Sequence, residues 1–341
     1  MQRLKLSQLF SCGMVLLVLG LLGTVPAHAS IIYTCDANID AAVAGTCNFL
    51  NTTVAGLYDS TFNDVNARVY IHYGSTGLGG SLTALDGFTY TTFRNALNAD
   101  RTSAADTTFF NSDVPVANPF GAENIAMTHA NARALGLAAG NNGVTPGGGN
   151  CVGINGTTCF DSIITISDAV RAANGLWYRT LSGGAQGGSQ YDFFTVVFHE
   201  SDEVLDTISL CCGQISGFYS PSDLGRYSSP GVRTHGFGGN AFFSIDGGTT
   251  NIVQYNNLNN GADTGDFATN CTYVQDAFGC PGGPTNHNPL DGVELTMLDV
   301  IGYTRVVPIT AAPEADAIAL LGIGLGSLAF IRRKFAARRG A

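Results

Sequence analysis

The chain has 341 residues, of which 12% are charged and 45% are hydrophobic. About a quarter of the residues in an ordinary globular domain are charged, so this chain has roughly half the usual charge. Its apolar and aromatic content argues against intrinsic disorder. The formal net charge of −10 argues against binding of the folded part to nucleic acids or anionic membranes.

The first 29 residues have the organisation of a secretory signal peptide. Arg3 and Lys5 give a basic start, residues 13–25 form an apolar run, and an A-x-A cleavage site ends the segment at Ala29. The apolar run is too short to favour a permanent membrane helix, which needs about 20 residues. We therefore expect the chain to be exported, with the mature protein beginning after Ala29.

The cysteines fit an oxidising compartment. Eight remain after Cys12, which lies in the signal peptide, and an even number in an exported chain favours disulfides. Their spacing suggests three local pairs, Cys35 with Cys47, Cys151 with Cys159 and Cys271 with Cys280, and leaves Cys211 next to Cys212.

Residues 30–311 hold most of the negative charge. They contain nine arginines, no lysine and 24 acidic residues, which gives a net charge of −15 with neutral histidines. A surface of this charge repels polyanions and attracts divalent cations.

The residue pattern predicts one loop-rich domain of class α+β over residues 30–305. The predicted elements, in chain order, are a strand at 67–73, helices at 88–98 and 123–137, strands at 158–167 and 242–246, and a helix at 293–301 that ends at Gly302.

The segment 192–210 is predicted to be the helix that carries the chemistry. Its apolar residues recur at i, i+3, i+4 and i+7, which is typical of an amphipathic helix packed on a core. His199 and Glu203 are four residues apart, so their side chains project together. Glu200 follows His199 and is rotated from it by about 100°.

These residues form the motif H-E-x-x-E. In the related motif H-E-x-x-H, two side chains one turn apart hold a metal ion, and the glutamate takes a proton from water. Here Glu203 replaces the second imidazole, which shifts the preference from Zn²⁺ towards harder cations such as Mn²⁺ or Ca²⁺. The alternative is a buried His199 that is hydrogen-bonded to a neighbouring glutamate.

A Gly- and Asn-rich stretch downstream contains Asp263, Asp266 and Asp276. Oxygen ligands from such a loop suit a structural Ca²⁺ ion. The spacing differs from that of an EF-hand, and ordinary turn formation is the alternative.

The C-terminal residues predict a second targeting segment at 306–341. Residues 315–331 are apolar apart from Asp316 and are followed at once by basic residues, which predicts a short membrane helix with a cytoplasmic C-terminal end. With Pro313 and Glu314 before the helix, this pattern resembles the PEP-CTERM sorting tail of Gram-negative bacteria, although Ala315 replaces the usual second proline. The resemblance implies processing by an exosortase-type membrane protease. A plain C-terminal anchor is the alternative.

The domain itself resembles a group of PEP-CTERM-sorted, zincin-like bacterial metalloproteases. The segments that carry this resemblance are Tyr191-Asp192-Phe193, His199-Glu200, Glu203-Val204, Ser220 to Gly231, Phe243 to Thr249 and Leu298 to Tyr303. It implies a zincin-like fold, with a twisted mixed sheet, a metal-bearing helix and a loop-rich C-terminal part below the cleft.

The resemblance also implies a third metal ligand beside His199 and Glu203. Asp223 is the preferred residue, by analogy with zincins that use an aspartate. Asp206, seven residues after His199, and Glu294 on the last predicted helix are the alternatives.

The sequence thus favours an exported metallopeptidase that acts on peptide or protein substrates. Zn²⁺, or Mn²⁺ or another hard divalent cation, would be held by His199, Glu203 and the third ligand, with Glu200 as the general base. The alternative is a catalytically inactive protein of the cell surface or extracellular matrix, built on the same scaffold.

Overall fold

The computed structural model of the protein describes residues 30–283 and 292–306. The predicted signal peptide and the predicted membrane helix at 315–331 lie outside the described residues. Up to Arg305, the described residues form one unit.

The strands, in chain order, are β1 (Ile31–Cys35), β2 (Ala67–Gly74), β3 (Gly79–Thr83), β4 (Leu85–Phe88), β5 (Asn124–Thr128), β6 (Asn142–Val144), β7 (Asn150–Val152), β8 (Ser162–Ser167), β9 (Leu176–Trp177), β10 (Tyr191–Asp192), β11 (Phe218–Tyr219), β12 (Arg226–Ser229), β13 (Val232–Arg233), β14 (Phe242–Phe243) and β15 (Val253–Gln254). The helices are α1 (Ala37–Ala42), α2 (Thr46–Phe49), α3 (Ala55–Thr61), α4 (Tyr90–Asp100), α5 (Ala104–Asp113), α6 (His129–Ala134), α7 (Asp168–Ala172), α8 (Phe193–Val204) and α9 (Val293–Gly302). The structure also has a π-helical turn at Leu50–Val54 and 3₁₀ turns at Cys211–Gly213 and Pro221–Gly225.

The largest sheet that contacts helix α8 has the order β1-β2-β8-β3. Strands β1, β2 and β8 are parallel, and β3 pairs antiparallel with β8, with Gly79 opposite Ile166. Strand β2 alternates buried and half-buried residues, so its apolar side chains lie on one face. Helix α8 packs against β3 and β8, which places this helix beside the antiparallel strand β3.

The remaining strands form smaller sheets. A three-stranded sheet has the order β11-β5-β4, and an antiparallel sheet has the order β13-β12-β14-β15. Strands β6 with β7 and β9 with β10 form two-stranded pairs. The predicted class α+β is therefore confirmed, with several sheets of mixed strand direction.

The helix predicted at 123–137 is wrong in its first half. Residues Asn124–Thr128 form strand β5, because they pair with β4 on one side and β11 on the other. The helix begins only at His129, where the Thr128 side chain accepts a hydrogen bond from the backbone N–H of Asn131 at 3.2 Å. Tertiary strand pairing overrides the helix propensity of this Ala-containing stretch.

His129 lies between the carboxylates of Asp86 and Asp161. Its imidazole is fully buried, with Nε2 3.3 Å from the Asp86 carboxylate on β4 and Nδ1 3.4 Å from the Asp161 carboxylate just before β8. Arg133 also pairs with Asp161, at 3.0 Å. The two carboxylates on either side of the His129 ring thus connect β4 to the chain just before β8.

The other predicted elements match the structure more closely. The strand at 67–73 and the helix at 293–301 are confirmed, while the strands at 158–167 and 242–246 are shorter than predicted and the helix at 88–98 begins at Tyr90. Met297 and Leu298 of α9 are fully buried in the core.

The three local disulfides are confirmed, joining Cys35 to Cys47, Cys151 to Cys159 and Cys271 to Cys280. Cys211 and Cys212 are not disulfide-bonded. Within the described residues, no helix has the length and hydropathy that a membrane span requires.

Candidate metal centre

Helix α8 begins at a strong local signal. The Asp192 side chain caps the helix by accepting the N–H of Phe194 at 2.9 Å, and Arg179 pairs with the same carboxylate at 2.5 Å. Phe193, Phe194 and Val197 are fully buried, and each such side chain stabilises the fold by roughly 1.5–3 kcal/mol. The apolar residues of the helix thus pack in the core, and another face carries His199 and Glu203.

The helix predicted at 192–210 ends earlier, at Val204. Asp206 has a φ of 82°, in the left-handed region, and its N–H bonds to the Glu203 carbonyl at 2.9 Å. The N–H of Thr207 bonds to the Asp202 carbonyl at 3.1 Å, which completes a Schellman motif. This turn ends the helix one residue after Glu203 and directs the chain away from it.

Three side chains bring their ligand atoms together at one end of the site. His199, Glu203 and Asp266 each offer one atom, and these atoms all lie within 4.8 Å of one another. Nε2 of His199 is 3.8 Å from Glu203 Oε1 and 3.7 Å from Asp266 Oδ1. Zn²⁺ bonds of 2.0–2.2 Å in tetrahedral geometry separate ligand atoms by roughly 3.3–3.6 Å. The separations of 3.7 and 3.8 Å are too long for hydrogen bonds and slightly longer than the ligand spacing around a bound Zn²⁺ ion.

Further contacts orient these three side chains. His199 Nδ1 lies 3.0 Å from the carbonyl oxygen of Val274, so Nδ1 donates to this acceptor and Nε2 faces the carboxylates of Glu203 and Asp266. The Ser81 hydroxyl donates to Glu203 Oε2 at 2.7 Å, and Gln275 Nε2 donates to Asp266 Oδ1 at 3.2 Å. Such contacts are typical of the surroundings of metal ligands.

Glu200 lies beside this group and is hydrogen-bonded to Glu203. Its side chain faces strand β3, where a Cβ on Gly79 would collide with Glu200 Oε1 and lie 2.6 Å from Val196 Cγ1. Burial, followed by the charge of Glu203, raises the pKa of Glu200 well above its usual value. A carboxylate with a raised pKa is suited to proton transfer near neutral pH.

The electrostatics of the group favour added positive charge. Burial opposes protonation of His199, but the carboxylates of Asp266, Glu200 and Glu203 outweigh it and raise the pKa of the imidazole to about 10. Burial is also the main cause that raises the pKa of Asp266 to about 8. Several carboxylates compete here for protons, and a divalent cation would neutralise them in the place of those protons.

The group opens into a cavity of about 590 Å³. One wall is the chain from Thr76 to Gly80, which includes the start of strand β3, and helix α8 forms the floor. Residues between 261 and 280 also line the cavity, including several in the loop that the Cys271–Cys280 disulfide closes. The site is therefore accessible from outside while its ligand atoms remain largely buried.

Asp223, the preferred third ligand, does not belong to this group. It caps the 3₁₀ turn at Pro221–Gly225, where its oxygens accept hydrogen bonds from the Ser209 hydroxyl at 2.5 Å, the Leu210 N–H at 3.0 Å and the Ser220 N–H at 2.9 Å. These partners already satisfy the carboxylate, and Asp223 does not line the cavity.

The two alternative ligands also have other positions. Asp206 is fully buried in the turn that ends helix α8 and does not line the cavity. Glu294 on α9 accepts the backbone N–H of Gln275 at 3.3 Å and so supports the segment whose Val274 carbonyl contacts His199. Glu294 therefore contacts the segment that orients His199, and not the group of three side chains itself.

Asp266 was not predicted to lie beside His199 and Glu203. It lies in the stretch interpreted as a calcium loop or a set of turns, and its acidic, Gly-rich surroundings were the available signal. Asp276 of the same stretch forms turns, because it accepts the N–H groups of Thr269, Thr272 and Tyr273. Tyr227, an aromatic residue in the Ser220 to Gly231 segment, is buried.

Comparisons of the chain with protein-family models, with curated proteins and with solved structures found no match.

Proposed function

We propose that the protein is an exported metal-dependent peptidase with a zincin-like domain. The observation that carries this proposal is the convergence of ligand atoms from His199, Glu203 and Asp266 at an open cavity, with Glu200 beside them. The proposal agrees with the H-E-x-x-E motif and with the resemblance to zincin-like metalloproteases.

A divalent cation held by these three side chains would polarise the carbonyl of a bound peptide and make a water molecule more acidic. Glu200 is positioned to accept a proton from the attacking water and to return it to the leaving amine. Hydrolysis then gives a carboxylate and an amine. Ser81 and the Val274 carbonyl keep Glu203 and His199 in their orientations during this reaction.

The alternative of an inactive surface or matrix protein predicts an incomplete ligand set. Asp266 supplies a third ligand atom near the other two, and this supports an enzyme over an inactive scaffold. The proposed location at the cell surface or in the extracellular matrix, after passage through an exosortase-type enzyme, rests on the sequence of the two ends.

The test combines metal content with hydrolysis. The purified full-length protein should bind about one equivalent of Zn²⁺ or Mn²⁺ and should hydrolyse unfolded protein substrates. Replacing His199→Ala should remove the metal, whereas Glu200→Gln should retain the metal and abolish hydrolysis. Hydrolysis at the wild-type rate by purified Glu200→Gln would refute the assigned mechanism, and a metal-free wild-type protein would favour the inactive scaffold.

A further inference from the structure

We propose that the cavity selects peptides that have a lysine side chain next to the hydrolysed bond, and that Asp263 binds the lysine ammonium group. This inference rests on the proposed peptidase function and adds a substrate class to it.

The first argument is the charge that remains in the cavity after metal binding. The acidic residues that line it are Asp192, Glu200, Glu203, Asp263, Asp266 and Asp276. A divalent cation would balance Glu203 and Asp266, and Arg179 already balances Asp192 at 2.5 Å. Asp276 is engaged by backbone N–H groups of its own loop. Asp263 therefore adds a negative charge to the cavity that these partners do not balance.

Asp263 is the carboxylate best placed to contact a substrate. Its side chain is exposed on the cavity wall and has no hydrogen bond or ion pair to any part of the chain that the structure describes. Its backbone is held, because its carbonyl accepts a hydrogen bond from Asn256 Nδ2 at 3.2 Å, while the Asn256 N–H bonds to the Asp266 carbonyl at 2.7 Å. The loop thus fixes Asp263 close to a metal ligand and leaves its carboxylate available.

The other lining residues fit a long side chain with a positive end. Among the described residues that line the cavity, none is an arginine or a lysine. Leu78, Val196 and Phe278 line the same cavity, and Phe278 is 60% exposed. Apolar lining residues in a cavity that also contains an exposed carboxylate match the methylene stem and ammonium group of lysine.

A separate observation in the sequence favours lysine over arginine. Lysine is one of the commonest residues in proteins, yet the chain contains none between Lys5 and Lys334. Arginine occurs nine times between residues 30 and 311. A peptidase that hydrolyses bonds next to lysine would find no such bond in its own folded domain, so this composition protects the enzyme from itself.

The experiment measures cleavage preference on the metal-loaded full-length protein. A peptide mixture with internal lysines, prepared by cleaving a proteome at glutamate, is digested and the new termini are identified by mass spectrometry. Matched fluorogenic peptides then carry Lys, Arg, Met or Glu at the preferred position. We expect kcat/KM to fall in the order Lys, Arg, Met, Glu. Asp263→Asn should reduce the Lys-to-Met ratio by about fivefold, the effect of one exposed ion pair.

The matched control is Asp168→Asn, which removes an exposed carboxylate outside the cavity and should leave the ratio unchanged. The Glu200→Gln variant gives a readout without turnover, since it should bind the lysine peptide more tightly than the methionine peptide. Cleavage without preference for lysine, or an Asp263→Asn variant with an unchanged ratio, would overturn this inference and leave the peptidase function intact. If no peptide is hydrolysed, both proposals fail.

Discussion

His199 Nδ1 lies 3.0 Å from the carbonyl oxygen of Val274, which is 75 residues further along the chain. This contact joins the helix that carries the H-E-x-x-E motif to the loop that the Cys271–Cys280 disulfide closes. The imidazole can present Nε2 to a cation only while that loop keeps its shape. The site thus depends on a segment far from the motif.

The disulfide should therefore affect metal binding and not only stability. Replacing both Cys271 and Cys280 by serine should lower the free energy of unfolding by roughly 2–3 kcal/mol, the entropic effect of a loop of this size. It should also weaken metal binding at least about tenfold, because the orientation of His199 is lost. Isothermal titration with Zn²⁺ measures the affinity.

The Cys151–Cys159 disulfide provides the control, since its sequence separation of 8 is close to the 9 of Cys271–Cys280. Its removal should cost a similar amount of stability and leave metal affinity unchanged. Equal loss of metal affinity in both double variants would show that the Val274 loop has no specific role.

Strand β3 should tolerate no side chain opposite the general base. A Cβ at position 79 would collide with Glu200, so Gly79→Ala should displace this carboxylate and lower kcat by about 10²-fold. Metal content should not change, because Glu200 is not one of the three proposed ligand residues.

Gly77→Ala is the comparison, because a Cβ at that glycine meets no atom within 4 Å although the residue also lines the cavity. It should retain wild-type kcat. A Gly79→Ala variant that is as active as Gly77→Ala would contradict the assigned position of Glu200.

The stability of the domain should fall as the pH rises from about 4 to 7. Burial, with the charge of Asp106, raises the pKa of Asp299 to about 7, whereas an aspartate in an unfolded chain has a pKa of about 3.9. In this range the native state holds a proton that the unfolded state has lost, so the free energy of unfolding decreases with pH. Asp299→Asn should remove the contribution of this carboxyl to the pH dependence. Relative to the wild type, the variant's free energy of unfolding in urea should increase more at pH 8 than at pH 5.

Asp246→Asn should change the free energy of unfolding with the opposite pH dependence. Burial raises the pKa of Asp246, but hydrogen bonds from Thr250 and Ser244 outweigh it and lower the pKa below the usual value. That carboxylate stabilises the fold above the unfolded pKa, and the contribution is lost as the pH falls through the folded pKa. A gain of Asp299→Asn that does not depend on pH would show that burial does not hold this carboxyl protonated.

The local pattern predicts part of the candidate site. Helical spacing places His199 and Glu203 together, as the structure also does, and the three local disulfides follow from the spacing of cysteines in an exported chain. Such features need only short-range information.

The rest depends on tertiary structure. Asp266 reaches His199 through a loop whose path no periodicity describes, and its carboxylate was one of several in that stretch. Strand β5 forms because two other strands flank residues 124–128. The early end of helix α8 requires a left-handed aspartate, Asp206, where glycine is the usual signal.

We propose that Asp266, and not Asp206 or Asp223, completes the ligand set. We would measure the Zn²⁺ affinity and content of Asp266→Asn beside Asp206→Asn, with circular dichroism to verify that both variants are folded. Asparagine also tolerates the left-handed conformation at position 206. We expect Asp266→Asn to lose at least about tenfold in affinity and Asp206→Asn to keep one equivalent of metal at wild-type affinity. Retention of full affinity by Asp266→Asn, or its loss in Asp206→Asn, would show that Asp266 is not the third ligand.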